Sequence, residues 1–147
     1  MLIHNTLLMC LTLLRLATAS AAFDGSNQPS SLTIKILNIK KNSGNVVVGL
    51  YKDESTWLKN PLQKVSLPTN EESKTALFDV PPGKYAISIY QDVNGNGKLD
   101  QNFLGIPKEP IGFGNNYKPF GKPKFESAMI NYMATSKPEV IKLVKAI

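Results

Sequence analysis

The chain has 147 residues, a formal net charge of +6 from 17 Lys and Arg against 11 Asp and Glu, one Cys and one His. Cys10, His4 and the only arginine, Arg15, all precede residue 22. The sequence from residue 22 onward therefore cannot form a disulfide, a Cys or His zinc site, or a His-based or Cys-based catalytic triad. Without arginine the lysine-borne positive charge also argues against nucleic-acid recognition, so no nucleic-acid partner is expected.

The N-terminal segment has the pattern of a secretory signal. An apolar run over residues 7–16 is followed by the small residues Ala17, Ala19 and Ala21. The run is roughly half of the ~20 residues that span a bilayer. Residues 1–21 are therefore predicted to be a signal peptide and residues 22–31 a polar leader. The mature protein is predicted to be periplasmic or extracellular, with no transmembrane segment.

Alternating apolar residues separated by turn residues predict a series of short strands. The predicted strands are residues 32–37, 46–51, 75–80, 85–90 and 140–144. Between them, residues 53–62 predict one helical turn or an ordered loop, and residues 125–132 fit either a short helix or a strand. Short strands with turn signals about every ten residues predict an all-β fold, an antiparallel β-sandwich formed by residues 32–147 as one domain.

Residues 92–100, here called the 92–100 loop, place oxygen-bearing side chains at alternate positions around two glycines. The predicted metal ligands are the side chains of Asp92, Asn94, Asn96 and Asp100 and the backbone carbonyl of Lys98. These match positions of the helix-loop-helix calcium loop, but the twelfth position, where that loop needs a Glu, is Phe103. Glu109 is the candidate for the missing carboxylate.

Two interpretations of the 92–100 loop remain open at this point. Asn-Gly-Asn-Gly is also ordinary turn chemistry, in which Asx side chains bond their own backbone. Calcium (Ca²⁺) is favoured because a turn does not require acidic residues at both ends. Two formal negative charges suit the weak affinity of extracellular calcium modules, roughly 10⁻⁴ to 10⁻³ M.

Residues 104–124 form a segment too long for a simple hairpin loop, rich in Gly, Pro, Asn and aromatic residues. Its Gly, Pro and Asn residues are predicted to pack the segment against the sheet rather than to bind a ligand. Phe113, Tyr117, Phe120 and Phe125 alternate with lysines, which suggests either a stacking strip or a partly buried loop with exposed lysines. The buried loop is favoured, and Trp57 is predicted to fill part of a core.

Residues 79–87, 91–100, 102–109 and 112–116 together resemble a family of secreted bacterial proteins classified as domain of unknown function 2141. The Pro-Pro-Gly-Lys-Tyr turn that leads into residues 85–90 is also similar to transthyretin-like (prealbumin-like) and adhesin B-type sandwiches. The resemblance implies a sandwich of that type, with a long ordered loop after the 92–100 loop. It implies no activity.

These observations predict an exported, noncatalytic module, stabilised by calcium, that binds a cell-envelope protein or glycan and is a monomer. The alternative is a hydrolase of an extracellular polymer, using paired carboxylates such as Asp100 with Glu109 or Glu126. Glycosidases hold two such groups about 5 to 10 Å apart beside a cleft.

Overall fold

The computed structural model describes residues 31–146, so the predicted signal peptide and nearly all of the leader lie outside the described residues. Eight strands form the fold: β1 (Ser31–Leu37), β2 (Asn45–Tyr51), β3 (Gln63–Pro68), β4 (Ser73–Asp79), β5 (Gly83–Asp92), β6 (Ile111–Phe113), β7 (Met129–Tyr132) and β8 (Glu139–Lys142). Within this range the helical elements are 3-10 turns at Glu54–Thr56, Gly114–Asn116 and Glu126–Ala128. None of them is long or apolar enough to cross a membrane.

The strands form two sheets, which confirms the predicted all-β sandwich. The smaller sheet has the order β4-β1-β8, and the larger one the order β3-β2-β5-β6 with β7 also paired to β5. Strand β5 is long enough to carry both short partners on one side, β7 along its first half and β6 along its second. Pairing is antiparallel except between β1 and β8, which run parallel, and the chain reaches β8 from β7 of the larger sheet.

A hydrophobic core fills the space between the two sheets. Strand β1 shows why, because Leu32, Ile34 and Ile36 alternate with more exposed residues and all three point inward. On the facing sheet Tyr85, Ile87 and Ile89 of β5 are at most 1% exposed, so the predicted shared face of these three residues is confirmed.

A second hydrophobic cluster lies apart from this core, around Tyr51 of β2 and Ala86 of β5. The residues after β5 supply its other buried members, which are Ile111, Phe113, Phe125 and Ala128. Trp57 packs against the cluster, with its ring centroid 4.9 Å from that of Tyr51, and its indole N–H donates to the carbonyl of Pro123 at 3.0 Å. Trp57 is therefore partly buried against a core, as predicted, and the long segment is packed against the sheet.

Candidate functional site

The 92–100 loop begins at Asp92, the last residue of β5, whose side chain is only 4% exposed. Its carboxylate accepts the backbone N–H of Asn96 at 3.1 Å and that of Gly97 at 2.7 Å, one on each oxygen. Gly97 has a φ of +77°, a left-handed conformation that glycine adopts without steric cost. Asp92 thus folds the loop back over the end of its own strand.

The structure brings Asn94, Asn96 and Asp100 together on the more exposed side of the loop. The amide nitrogen of Asn94 donates to the Asp100 carboxylate at 2.6 Å, and that of Asn96 donates to both of its oxygens at 3.0 and 3.1 Å. The amide oxygens accept local backbone N–H groups, Asn94 from Asn96 and Asn96 from Lys98. Lys98 itself is exposed. Four predicted ligand side chains therefore lie in one compact turn.

Glu109 returns from the following segment to the base of the loop and is 5% exposed. One of its oxygens accepts the N–H of Val93 at 2.7 Å, and the other accepts the N–H of Asp100 at 3.1 Å. Glu109 therefore lies beside the loop, and its role as a metal ligand stays a prediction. The Glu109 carboxylate thus connects the two ends of the loop, and its observed partners are backbone N–H groups.

Replacing Glu109 with glutamine is expected to lower the free energy of unfolding by about 2 kcal/mol. An amide offers one acceptor where the carboxylate offers two, so one buried N–H of Val93 or Asp100 loses its charged partner. Urea denaturation measures the change. The exposed Glu126 provides the control, because Glu126→Gln is expected to stay within about 0.5 kcal/mol of the unaltered protein. Equal stability of the two variants would contradict the role given to Glu109.

The donor set of the loop fits a hard cation. Carboxylate and amide oxygens are the groups that calcium takes, and Asp92 and Asp100 supply the negative charge. Turning an Asn side-chain amide by 180° exchanges its oxygen and nitrogen, so Asn94 and Asn96 can present oxygen where they now present N–H to Asp100. Among residues 31–146 no group of three or more His, Cys, Asp or Glu side chains has metal-binding geometry. A cation would therefore depend on amide, carbonyl and water oxygens, and calcium stays a prediction.

Tyr90 adds a phenol to the same region. Burial raises its pKa, and the carboxylates of Asp92 and Glu109 raise it further, as does Tyr51. The phenol hydroxyl lies 3.4 Å from the carbonyl oxygen of Gly97. Because the phenol is neutral at ordinary pH, it adds no negative charge to the two carboxylates beside it.

Gln91 is a residue of this region that the sequence analysis does not identify. It is fully buried, accepts the N–H of Lys40 at 2.9 Å, and donates to the carbonyls of Lys40 and Ser43 at 2.7 Å each. It thereby ties the β1–β2 connection to the strand that carries Asp92. A signal was present, because Gln91 continues the inward face of Ile87 and Ile89, where a polar residue is unexpected.

The side chain of Phe103 has no oxygen that could bind calcium, and the residue lies in a separate turn just after the loop. The side-chain oxygen of Asn102 accepts the N–H groups of Leu104 and Ile106, which closes a tight turn here called the Phe103 turn. Phe103 projects from it and is 95% exposed. The chain after the 92–100 loop thus turns away without supplying a ligand at the twelfth position.

Asn115 and Asn116 hold the long segment to both sheets. The amide nitrogen of Asn115 donates to the carbonyl of Met129 in β7 at 2.7 Å. Asn116 pairs with β8, donating to the carbonyl of Val140 at 2.6 Å and accepting the N–H of Lys142 at 2.8 Å. Both residues have positive φ, and their side chains are used by backbone groups. This confirms that they position the chain.

The three carboxylates that the hydrolase alternative would use lie in different surroundings. Asp100 lies in the 92–100 loop and Glu109 at its base, and both accept N–H groups, whereas Glu126 is exposed on a separate 3-10 turn. Two surface grooves flank the C-terminal strand, one lined by Leu37–Lys40 with Glu72, the other by Tyr117 and Lys142. Neither groove contains Asp100, Glu109 or Glu126.

Comparison with known proteins gives one match. No curated protein and no solved structure shows significant similarity to the chain, so the transthyretin-like and adhesin-type likeness stays a prediction. A family model described as "Uncharacterized protein conserved in bacteria (DUF2141)" matches residues 34–140. The match runs from β1 to β8 and includes the whole 92–100 loop and Glu109. The chain therefore belongs to the DUF2141 family of bacterial proteins.

Proposed function

We propose that this protein is an exported, noncatalytic and monomeric β-sandwich module of the bacterial cell envelope, stabilised by calcium at the 92–100 loop. The observation that carries the proposal is the arrangement of Asp92, Asn94, Asn96 and Asp100 in one turn whose base is closed by Glu109. A bound cation would join the end of β5 to the segment that covers the larger sheet. Its partner would be an envelope protein or glycan.

The chemistry of the loop supports a stabilising rather than a catalytic role. The Asp92 and Glu109 carboxylates are buried and hold backbone N–H groups, so a proton transferred to either would weaken the turn itself. The Asp100 carboxylate is the least buried of the three and is held by side-chain amides. A cation would replace those amide contacts with oxygen ligands.

Calcium is expected to raise the melting temperature of the protein by roughly 5 to 15 °C at 10 mM. At an affinity of about 10⁻⁴ to 10⁻³ M this concentration is roughly 10 to 100 times Kd, and binding only the folded state then stabilises it by about 1.4 to 2.7 kcal/mol. Differential scanning calorimetry in chelator and in 10 mM calcium measures the shift. Magnesium, which demands a tighter octahedral site, is expected to give a smaller one.

The variant Asp100→Asn tests whether this loop is responsible. It removes one negative charge with little change of shape, so the calcium shift is expected to disappear. Asp53→Asn is the matched control, because Asp53 is exposed and its side chain makes no capping hydrogen bond. An unaltered protein that melts at the same temperature in chelator and in calcium would refute the metal proposal.

A further inference from the structure

Phe120 is much more exposed to solvent than the other aromatic residues of its segment. Phe113 and Phe125 are buried in the second hydrophobic cluster, and Tyr117 packs against that cluster. Phe120 is fully exposed, with a relative exposure of 106%. A phenylalanine ring left wholly in water gives up the stabilisation that its neighbours obtain by burial. The ring is therefore available to a surface outside the described fold.

The loop that carries Phe120, residues 118–122, is short and anchored at both ends; it is called the Phe120 loop below. Before it, Tyr117 donates its N–H to Gly114 at 3.1 Å. After it, the indole of Trp57 holds the carbonyl of Pro123. Pro119 and Pro123 each fix a backbone φ angle, which lowers the conformational entropy that binding would cost. The exposed ring is thus presented by a restrained loop.

The charged residues of the sequence segment that carries Phe120 have one sign. Lys118, Lys122 and Lys124 are all exposed, and the sequence has no acidic residue from residue 110 to residue 125. Lys118 also lines the groove that contains Lys142 of β8. A covering surface must therefore accept an apolar ring at its centre and several ammonium groups around it.

An anionic lipid bilayer meets both requirements. Its headgroups attract lysine, and the boundary between headgroups and acyl chains accepts an aromatic ring beside them. A polyanionic glycan would also attract the lysines, but a sugar face stacked on one side of the ring would leave much of it in water. We propose that the Phe120 loop docks the domain reversibly on an anionic lipid bilayer, with Phe120 inserted and Lys118, Lys122 and Lys124 at the headgroups. This docking is independent of calcium.

Co-sedimentation with vesicles tests the proposal. The protein is used without residues 1–21, whose apolar run would itself enter lipid; both hydrophobic clusters are formed by residues between 32 and 146 and are retained. Vesicles of phosphatidylglycerol mixed with phosphatidylcholine are compared with pure phosphatidylcholine in the presence of chelator. We expect partitioning onto the anionic vesicles that weakens as salt is added.

Two variants separate ring insertion from charge attraction. Phe120→Ser is expected to reduce partitioning about tenfold through loss of the buried ring. The double change Lys118→Gln with Lys122→Gln is expected to reduce it roughly tenfold or more and to flatten the salt dependence. Phe103→Ser is the control, because it removes an equally exposed ring from the Phe103 turn and is expected to leave partitioning unchanged.

The proposal is overturned by any of three results. The first is no partitioning onto anionic vesicles, or equal partitioning onto neutral ones. The second is binding that Phe120→Ser leaves unchanged, which indicates a general attraction to polyanions. The third is a larger loss with Phe103→Ser than with Phe120→Ser. Since chelator is present throughout, none of these results bears on the calcium site, and a missing calcium shift in melting leaves this test intact.

Discussion

Replacing Gln91 with leucine is expected to lower the free energy of unfolding by about 3 to 5 kcal/mol. The leucine fits the buried site in size, but the N–H of Lys40 and the carbonyls of Lys40 and Ser43 lose their partners. Leaving a polar group without its hydrogen bond costs about 1 to 3 kcal/mol where water cannot replace the partner, and three partly buried bonds are lost here. Urea denaturation followed by circular dichroism measures the loss.

The variant Gln63→Leu is the control for Gln91→Leu. Gln63 lies in β3, is only partly buried, and makes one exposed hydrogen bond, to the carbonyl of Asp79 at 3.1 Å. Water can replace that bond, so Gln63→Leu is expected to change the stability by less than about 1 kcal/mol. If Gln91→Leu were no more damaging than Gln63→Leu, the three hydrogen bonds of Gln91 would not stabilise the β1–β2 connection.

Replacing Gly44 with alanine is expected to have an effect of similar size, about 3 to 5 kcal/mol, for a steric reason. Gly44 has a φ of +62°, and an added Cβ would overlap the carbonyl oxygen of Asp92. The alanine would therefore carry the strain of a left-handed conformation and also displace the backbone at the start of the 92–100 loop. Calorimetry of the variant is expected to show both a lower melting temperature and a smaller response to calcium.

Gly121→Ala separates the two causes of the Gly44 effect. Gly121 has a φ of +85°, so an alanine there is strained in the same way, yet its Cβ would meet nothing within 4 Å. The control is expected to cost about 1 kcal/mol, since only the backbone strain applies. Equal losses for the two variants would mean that the contact between Gly44 and Asp92 contributes nothing.

The strands that the sequence predicts are those whose apolar residues alternate strongly. In β1 and β5 nearly every second residue is hydrophobic. This two-residue alternation is enough to predict both the strand and the face that points inward. Strand β3 has only Val65 and Leu67 on that pattern and lies at the edge of its sheet, where one side faces away from other strands. Strand β6 has three residues and a central glycine, too few to show a period.

The site was predictable where its chemistry is local. The spacing from Asp92 to Asp100 predicts a turn that gathers their side chains, because turn geometry depends on neighbouring residues. Whether Glu109 binds a cation or backbone N–H groups depends on how the chain returns to β6, which no local pattern determines. The role of Gln91 likewise depends on the β1–β2 connection, far away in sequence.

The parallel pair of β1 and β8 has a consequence for when the protein can fold. Strand β1 is the middle strand of the smaller sheet, and one of its neighbours is the last strand of the chain. Nearly the whole domain separates these two partners in sequence, and such distant pairings close slowly because much chain entropy is lost before contacts form. The smaller sheet cannot be completed until β8 has been synthesised and is free to pair with β1. The pairing of β1 with β4 can form earlier, because those two strands lie closer together in sequence.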